Sequence, residues 1–244
     1  MSRRVLVTGS ARGIGRAIAL RLAEAGWQVA IHGRSASPAL EATAAELESS
    51  LAGVYAQELE ERPEALWSAA LADGEIHALV NNAGVYQPFP FLTPDDAAFK
   101  ANVEAQLTTN FMAPLMLTRA AALHFAGRGG GKILNVASRV GFRGEPNASL
   151  YAASKAALIN LTRSLAVELA PNNIGVFGIA PGWVDTAMVR DGMQERLTEI
   201  LKTLPLGRMA SPEDCAAATA FLLSDEAAYL SGVTIDINGA SYFH

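Results

Sequence analysis

Seven short apolar runs punctuate the chain: RRVLVT (3–8), WQVAIH (27–32), GVYA (53–56), IHALVN (76–81), KILNVA (132–137), IGVFGIA (174–180) and TIDIN (234–238). Each has the length and β-branched content of a buried strand. Between them lie alanine- and leucine-rich stretches with helical composition: 13–26, 38–51, 63–72, a long one around 98–126, 150–170 and 212–223. Strands and helices that alternate in this way predict an α/β fold, a doubly wound and mainly parallel sheet with helices on both faces. Ser211-Pro212 followed by Glu213 and Asp214 predicts a helix start, with a cap, a proline in the first turn and acids at the positive end of the dipole. No linker, repeat or low-complexity tract interrupts the pattern, so residues 1–244 are read as one domain.

Composition narrows the function. The 244 residues are 50% hydrophobic and 18% charged, the balance of a soluble globular protein. No apolar run reaches the length of a membrane span, and the start lacks the pattern of a secretory signal. A single cysteine, Cys215, makes an internal disulfide impossible and points to the cytoplasm. A net charge of −5 disfavours nucleic acid as the main partner.

The stretch VLVTGSARGIGRAIAL carries the first chemistry. It runs from a strand through Gly9, Gly13 and Gly15 into a helix, with spacing T-G-x-x-x-G-x-G. Gly9 and Gly13 allow a tight turn close to a phosphate, and Gly15 allows close packing of helix on sheet. The helix start adds unpaired N–H groups and a positive dipole end. Gly9, Ser10, Arg12, Gly13 and Ile14 are therefore candidate cofactor positions, although a tight, closely packed turn would by itself need the same glycines. The second strand ends in Gly33-Arg34-Ser35 with no acid to hold a ribose 2′-hydroxyl. Arg34, Ser35 and Arg12 suit a 2′-phosphate, which favours NADP(H) over NAD(H). Both arginines would also be at home as solvated surface charges.

Tyr151 and Lys155 stand four apart in the helical run LYAASKAAL and so share a helix face. Together with Thr8-Gly9-x-x-x-Gly13-x-Gly15, NNAG (81–84), Asn110, Ser138 and PGWVDT (181–186), they make the chain resemble the short-chain dehydrogenase/reductase family over essentially its whole length. The resemblance implies a Rossmann-type sheet of about seven parallel strands. It also implies a catalytic set: Tyr151 as general acid–base, Ser138 holding the substrate carbonyl, and Asn110 binding a water of a proton relay. Lys155 would bind the nicotinamide ribose and lower the Tyr151 pKa. For the cofactor it further implies Asn82, Ala83 and Gly84 on the adenosine side, Glu58 and Leu59 at the adenine, and Pro181, Gly182, Val184 and Thr186 at the nicotinamide. No metal is called for.

Substrate is less marked. The loop RVGFRGEPNAS (139–149) and the segment 185–210, read as a mobile lid, would form the cleft, with Phe142, Trp183, Met188 and Met193 as its apolar wall. Within the family the tail PLGRMASPEDCAAATAFLLSDEAAYLSGVTIDINGASYFH (205–244) is most like 3-oxoacyl-(acyl-carrier-protein) reductases. That likeness implies fatty-acid biosynthesis, an acyl-carrier-protein partner and a homotetramer. Arg128, Lys132, Arg139 and Arg163 are candidate docking cations for that acidic partner. A reductase of another ketone, sugar or secondary alcohol, or a nucleotide-binding regulator without turnover, would share much of the same pattern.

Overall fold

Strands that bury both faces need apolar residues at nearly every position, and the central strands meet that condition throughout. In the computed structural model, which describes residues 3–190 and 197–244, β1 (Arg4–Val7) and β4 (Ala78–Asn81) are buried along their full length. With β2 (Gln28–Gly33), β3 (Leu51–Ala56), β5 (Gly131–Val136), β6 (Ile174–Pro181) and β7 (Thr234–Ile237) they form one parallel sheet in the order β3-β2-β1-β4-β5-β6-β7. Alternate residues face opposite layers. Val5, Val7 and Val80 pack under α1 (Gly13–Glu24), α2 (Pro38–Leu47) and α9 (Pro212–Leu222). Leu6 and Leu79 pack under α3 (Pro63–Ala72), α5 (Ala113–Ala126) and α6 (Ser149–Leu169). The architecture is the doubly wound Rossmann type, and the order of strands reverses between β1 and β4. No described helix is long and apolar enough to cross a membrane.

Two elements depart from the sequence expectation. The helix expected over 38–51 stops at Leu47, because Glu48 takes φ +48° and a short 3-10 turn leads directly into β3. The long helix expected around 98–126 is α4 (Asp96–Leu107) and α5, joined by a π turn at Thr108–Met112 that contains Asn110. The helix start at Ser211 is a full capping box: Ser211 Oγ accepts from the Asp214 N–H at 3.2 Å, and Asp214 accepts from the Ser211 N–H at 2.8 Å.

A buried polar ladder ties the middle of the sheet to the helices above it. Asn81 donates to Thr118 and to Asn135, both at 2.9 Å, and Asn135 donates to Thr162 at 2.9 Å. It crosses β4, β5, α5 and α6 among fully buried residues, so a sliding of α6 on β5 would strand several amide groups. Helix α1 is set just as closely. A Cβ on Gly15 would lie 2.2 Å from the Gly9 carbonyl oxygen, whereas one on Gly144 would meet nothing within 4 Å. Gly15→Ala is therefore expected to destabilise by about 1–3 kcal/mol, seen as a drop of several degrees in Tm. Gly144→Ala is expected to stay within about 0.5 kcal/mol in the same thermal scan.

Candidate active site

The carboxyl ends of the strands converge on one side of the sheet. There a cavity of about 450 Å³ runs from the β1–α1 turn past the end of β4 to the ends of β5 and β6. The glycine turn forms its first wall. Gly9 takes φ +65°, and a Cβ there would approach the Ala83 backbone to 2.8 Å. The turn is fastened from β4: the Asn82 side chain donates to the carbonyls of Thr8 (2.9 Å) and Gly9 (3.0 Å). Thr8 Oγ1 in turn accepts from the amides of Asn82 and Ala83, both at 3.0 Å.

Most of the cofactor positions expected from the sequence line this cavity. Gly9, Arg12, Gly13, Ile14, Arg34, Leu59, Asn82, Ala83, Gly84, Tyr151, Lys155, Pro181, Gly182, Val184 and Thr186 are all on its wall. Ser10, Ser35 and Glu58 are not. Ser10 is fully buried, its hydroxyl directed at the Val7 and His32 carbonyls. Ser35 is exposed. Glu58 points to Arg34, 3.0 Å from its Nε, with both side chains largely in solvent. His32, Gln57 and Glu60 line the cavity without having been expected there.

The catalytic candidates meet at the far end. Lys155 is 4% exposed, and its ammonium donates to the Val136 carbonyl at 2.9 Å. Burial alone pulls its pKa down to about 8. Its Nζ lies 5.7 Å from the centre of the Tyr151 ring. The Tyr151 pKa moves opposite to the sequence expectation and is pushed up to about 12. Desolvation of the hydroxyl is the largest cause; a hydrogen bond from Ser138 opposes it, while Tyr86 and the Glu145 charge reinforce it. Lys155, itself desolvated and bound to a carbonyl, leaves desolvation as the dominant influence on the tyrosine. Asn110 is fully buried in its π turn and clamps Val85. Its Oδ1 accepts from the Val85 N–H at 2.8 Å and its Nδ2 donates to the Val85 carbonyl at 2.9 Å.

A second cavity of about 270 Å³ opens beside the first. Ser138, Tyr151, Pro181, Gly182 and Val189 line both, so Ser138 and Tyr151 sit at the junction. Tyr86 closes one side with its ring edge against Tyr151, centroids 5.0 Å apart. Trp183 lies on the wall, as expected, but Phe142 does not: it stacks on His244 at 3.7 Å. The Met188 side chain and Met193 lie outside the described residues. Segment 185–210 includes α7 (Ala187–Arg190) and α8 (Leu197–Lys202), where Ile200 and Leu204 pack with Trp183 and Val189.

Arg139 corrects the expected docking surface. It is only 4% exposed and lies on the wall of the second cavity. Its guanidinium reaches Ser241 Oγ at 2.8 Å and a Glu145 oxygen at 3.7 Å. Lys132 donates to the carbonyls of Leu223 and Ser224, and Arg128 pairs with Glu75 at 3.4 Å. Arg163 lies over the Phe142 ring. With Arg139 inside the protein, the four cations do not make one exposed patch.

Known proteins resemble this chain in sequence and in fold. The family model described as enoyl-(acyl carrier protein) reductase matches residues 9–240. Nodulation protein G of Rhizobium sp. (strain N33) is 39% identical over 240 residues, 97% of this chain and 96% of its own. A 3-oxoacyl-(acyl-carrier-protein) reductase of Aggregatibacter actinomycetemcomitans is 37% identical over 253 residues, covering 98% of this chain and 99% of its own. The crystal structure of a 3-ketoacyl-(acyl-carrier-protein) reductase from Brucella melitensis, complexed with NADH, superposes with a TM-score of 0.88 at 30% identity, covering 99% of this chain and 98% of that one. With the glycine turn, the Ser138–Tyr151–Lys155 cluster and the parallel sheet all in place, the chain belongs to the short-chain dehydrogenase/reductase family of NAD(P)-dependent oxidoreductases acting on CH–OH and C=O groups.

Proposed function

We propose that the protein is an NADPH-dependent reductase of 3-oxoacyl thioesters. One observation carries the reading: two cavities, one beginning at a glycine turn, meet where Ser138 and Tyr151 line both. The larger cavity has the parts a dinucleotide needs, namely a helix start for the pyrophosphate and two arginines, Arg12 and Arg34, on its wall. Reduced nicotinamide, when bound, supplies the hydride that reaches the substrate carbonyl carbon. Ser138 holds the carbonyl oxygen by donating a hydrogen bond. Tyr151 gives its proton to that oxygen, so the carbonyl carbon gains a hydride (two electrons and one hydrogen), the oxygen gains one proton, and the ketone leaves as the alcohol. A phenol raised to about 12 is fully protonated at neutral pH, the form this direction requires. Lys155 faces the resulting phenolate with its ammonium and holds the ribose; Asn110 keeps the Val85 backbone in place beside it.

The choice of 3-oxoacyl thioester rests on the relatives named for that activity, with acyl carrier protein as partner and the cytoplasm as setting. A homotetramer fits the exposed apolar residues Leu123 on α5 and Val167 on α6, 63% and 79% exposed. A second reading, a small polar ketone or sugar, is favoured by the Arg139–Glu145 pair on the wall of the second cavity. A panel of 3-oxoacyl thioesters, diketones and oxidised sugars, followed by NADPH absorbance, separates the two. Turnover of thioesters alone supports the first reading, and turnover of sugars alone replaces it with the second.

Tyr151→Phe is expected to lower kcat by about 10²–10⁴-fold while leaving NADPH affinity within a few-fold, by steady-state kinetics and fluorescence titration. For cofactor choice, Arg34→Asp should weaken NADPH by at least about tenfold and NADH much less. Glu58→Gln should instead tighten NADPH, since Glu58 competes with the 2′-phosphate for the same guanidinium. Cofactor affinity should also fall as pH rises through about 8, where the Lys155 ammonium is lost. Titration at pH values on both sides of that point, repeated with Lys155→Met, checks this; the variant should show no such step.

A further inference from the structure

His32 is a lone histidine at the end of β2, 2% exposed, with one edge on the wall of the larger cavity. Both ring nitrogens are engaged, each with the backbone of a different segment. The Gly9 N–H donates to Nδ1 at 3.2 Å, and Nε2 lies 2.8 Å from the Gln57 carbonyl oxygen. The His32 backbone is joined to the same turn: the Ser10 N–H donates to the His32 carbonyl at 2.8 Å, and the His32 N–H donates to Ser10 Oγ at 2.9 Å. One residue thus links the β1–α1 turn, the end of β2 and the exit of β3.

The chemistry of the two contacts fixes the state of the ring. An amide N–H can donate only to a bare nitrogen, and a carbonyl can accept only from an N–H. Both conditions hold together in one form alone, neutral imidazole with its hydrogen on Nε2. Burial favours the neutral form and lowers the pKa, against the Gln57 carbonyl and the Glu60 charge, which favour the cation. The same contacts turn the Gly9 and Ser10 amides toward β2. What remains for an anion at this turn begins further on, at Arg12 and the first amides of α1.

We propose that His32 is a positioning residue of the dinucleotide site: its Nδ1 holds the Gly9 amide, and so sets the path of the glycine turn that receives the pyrophosphate. The proposal rests on the dinucleotide reading and adds to it a requirement for one acceptor atom at one point. Asparagine and glutamine separate that requirement from simple space filling. His32→Asn can keep an acceptor near the Nδ1 position, whereas His32→Gln reaches the Nε2 position and gives up the bond to Gly9. His32→Ala gives up both.

Dissociation constants for NADPH and NADH, measured by fluorescence titration beside the Tm of each protein, test it. The expected result is affinity within about threefold for His32→Asn and a loss of at least about tenfold for His32→Gln and His32→Ala. The KM for cofactor should rise accordingly, with kcat at saturation nearly unchanged. Equal losses for Asn and Gln, or losses that merely follow Tm across the three variants, would overturn the proposal. A wild-type protein that binds neither dinucleotide would overturn the underlying reading and the proposal with it. Nitrogen-15 NMR of histidine in the wild type gives a test that needs no variant to fold: an Nε2-protonated neutral ring is expected at His32, and an Nδ1-protonated or cationic ring overturns the assignment.

Discussion

A lysine ammonium that is 4% exposed and bonded to a single carbonyl is the constraint around which this molecule is arranged. Removing a charge from water is expensive, and the protein meets that demand only in part, as a pKa drawn down to about 8 records. The group can be kept there only if helix α6, which carries Lys155, does not shift against strand β5, which offers the Val136 carbonyl. The ladder Asn81–Asn135–Thr162, with Thr118 at its other end, supplies that fixity from inside the core. Gly84 leaves the space beside it: a Cβ at that position would sit 3.0 Å from Asn110 Oδ1 and 3.6 Å from Lys155 Nζ.

The same burial acts on two neighbouring groups with opposite signs. It discourages charge on both, so the acid becomes a weaker acid and the base a weaker base. At neutral pH the protein alone holds a protonated phenol beside an ammonium, a pair suited to giving a proton away. Taking one up, in alcohol oxidation, begins from phenolate and calls for more positive charge near the ring than these side chains provide. Glu145 works against it as well, since its carboxylate raises the tyrosine further while being partly offset by Arg139.

Much of this was legible in the sequence because it is local. Four-residue spacing places Tyr151 and Lys155 on one helix face whatever the tertiary context, and the glycines of the first turn leave their mark within seven positions. What could not be read depends on distant partners. Arg139 looks like any surface cation until Glu145 and Ser241, the latter from the far end of the chain, enclose it. Glu58 looked suited to the adenine until β2 and β3 brought it against Arg34. The direction of the tyrosine shift depends on desolvation, which no spacing reveals. His32 carried no pattern at all, since its two contacts lie 23 and 25 positions away.

The π turn at Thr108–Met112 has a consequence for how this chain can vary. A wide turn houses one more residue than a regular helix would in the same rise, and each residue rotates a helix by about 100°. Deleting one position between α4 and α5 would close the bulge and swing Asn110 off Val85, even though the later side chains of α5 would keep their headings, because the bulge is what absorbs the extra residue. Surface loops tolerate gain and loss of residues; this interior stretch is counted to the unit, and its length is as much a part of the chemistry as the identity of any side chain in it.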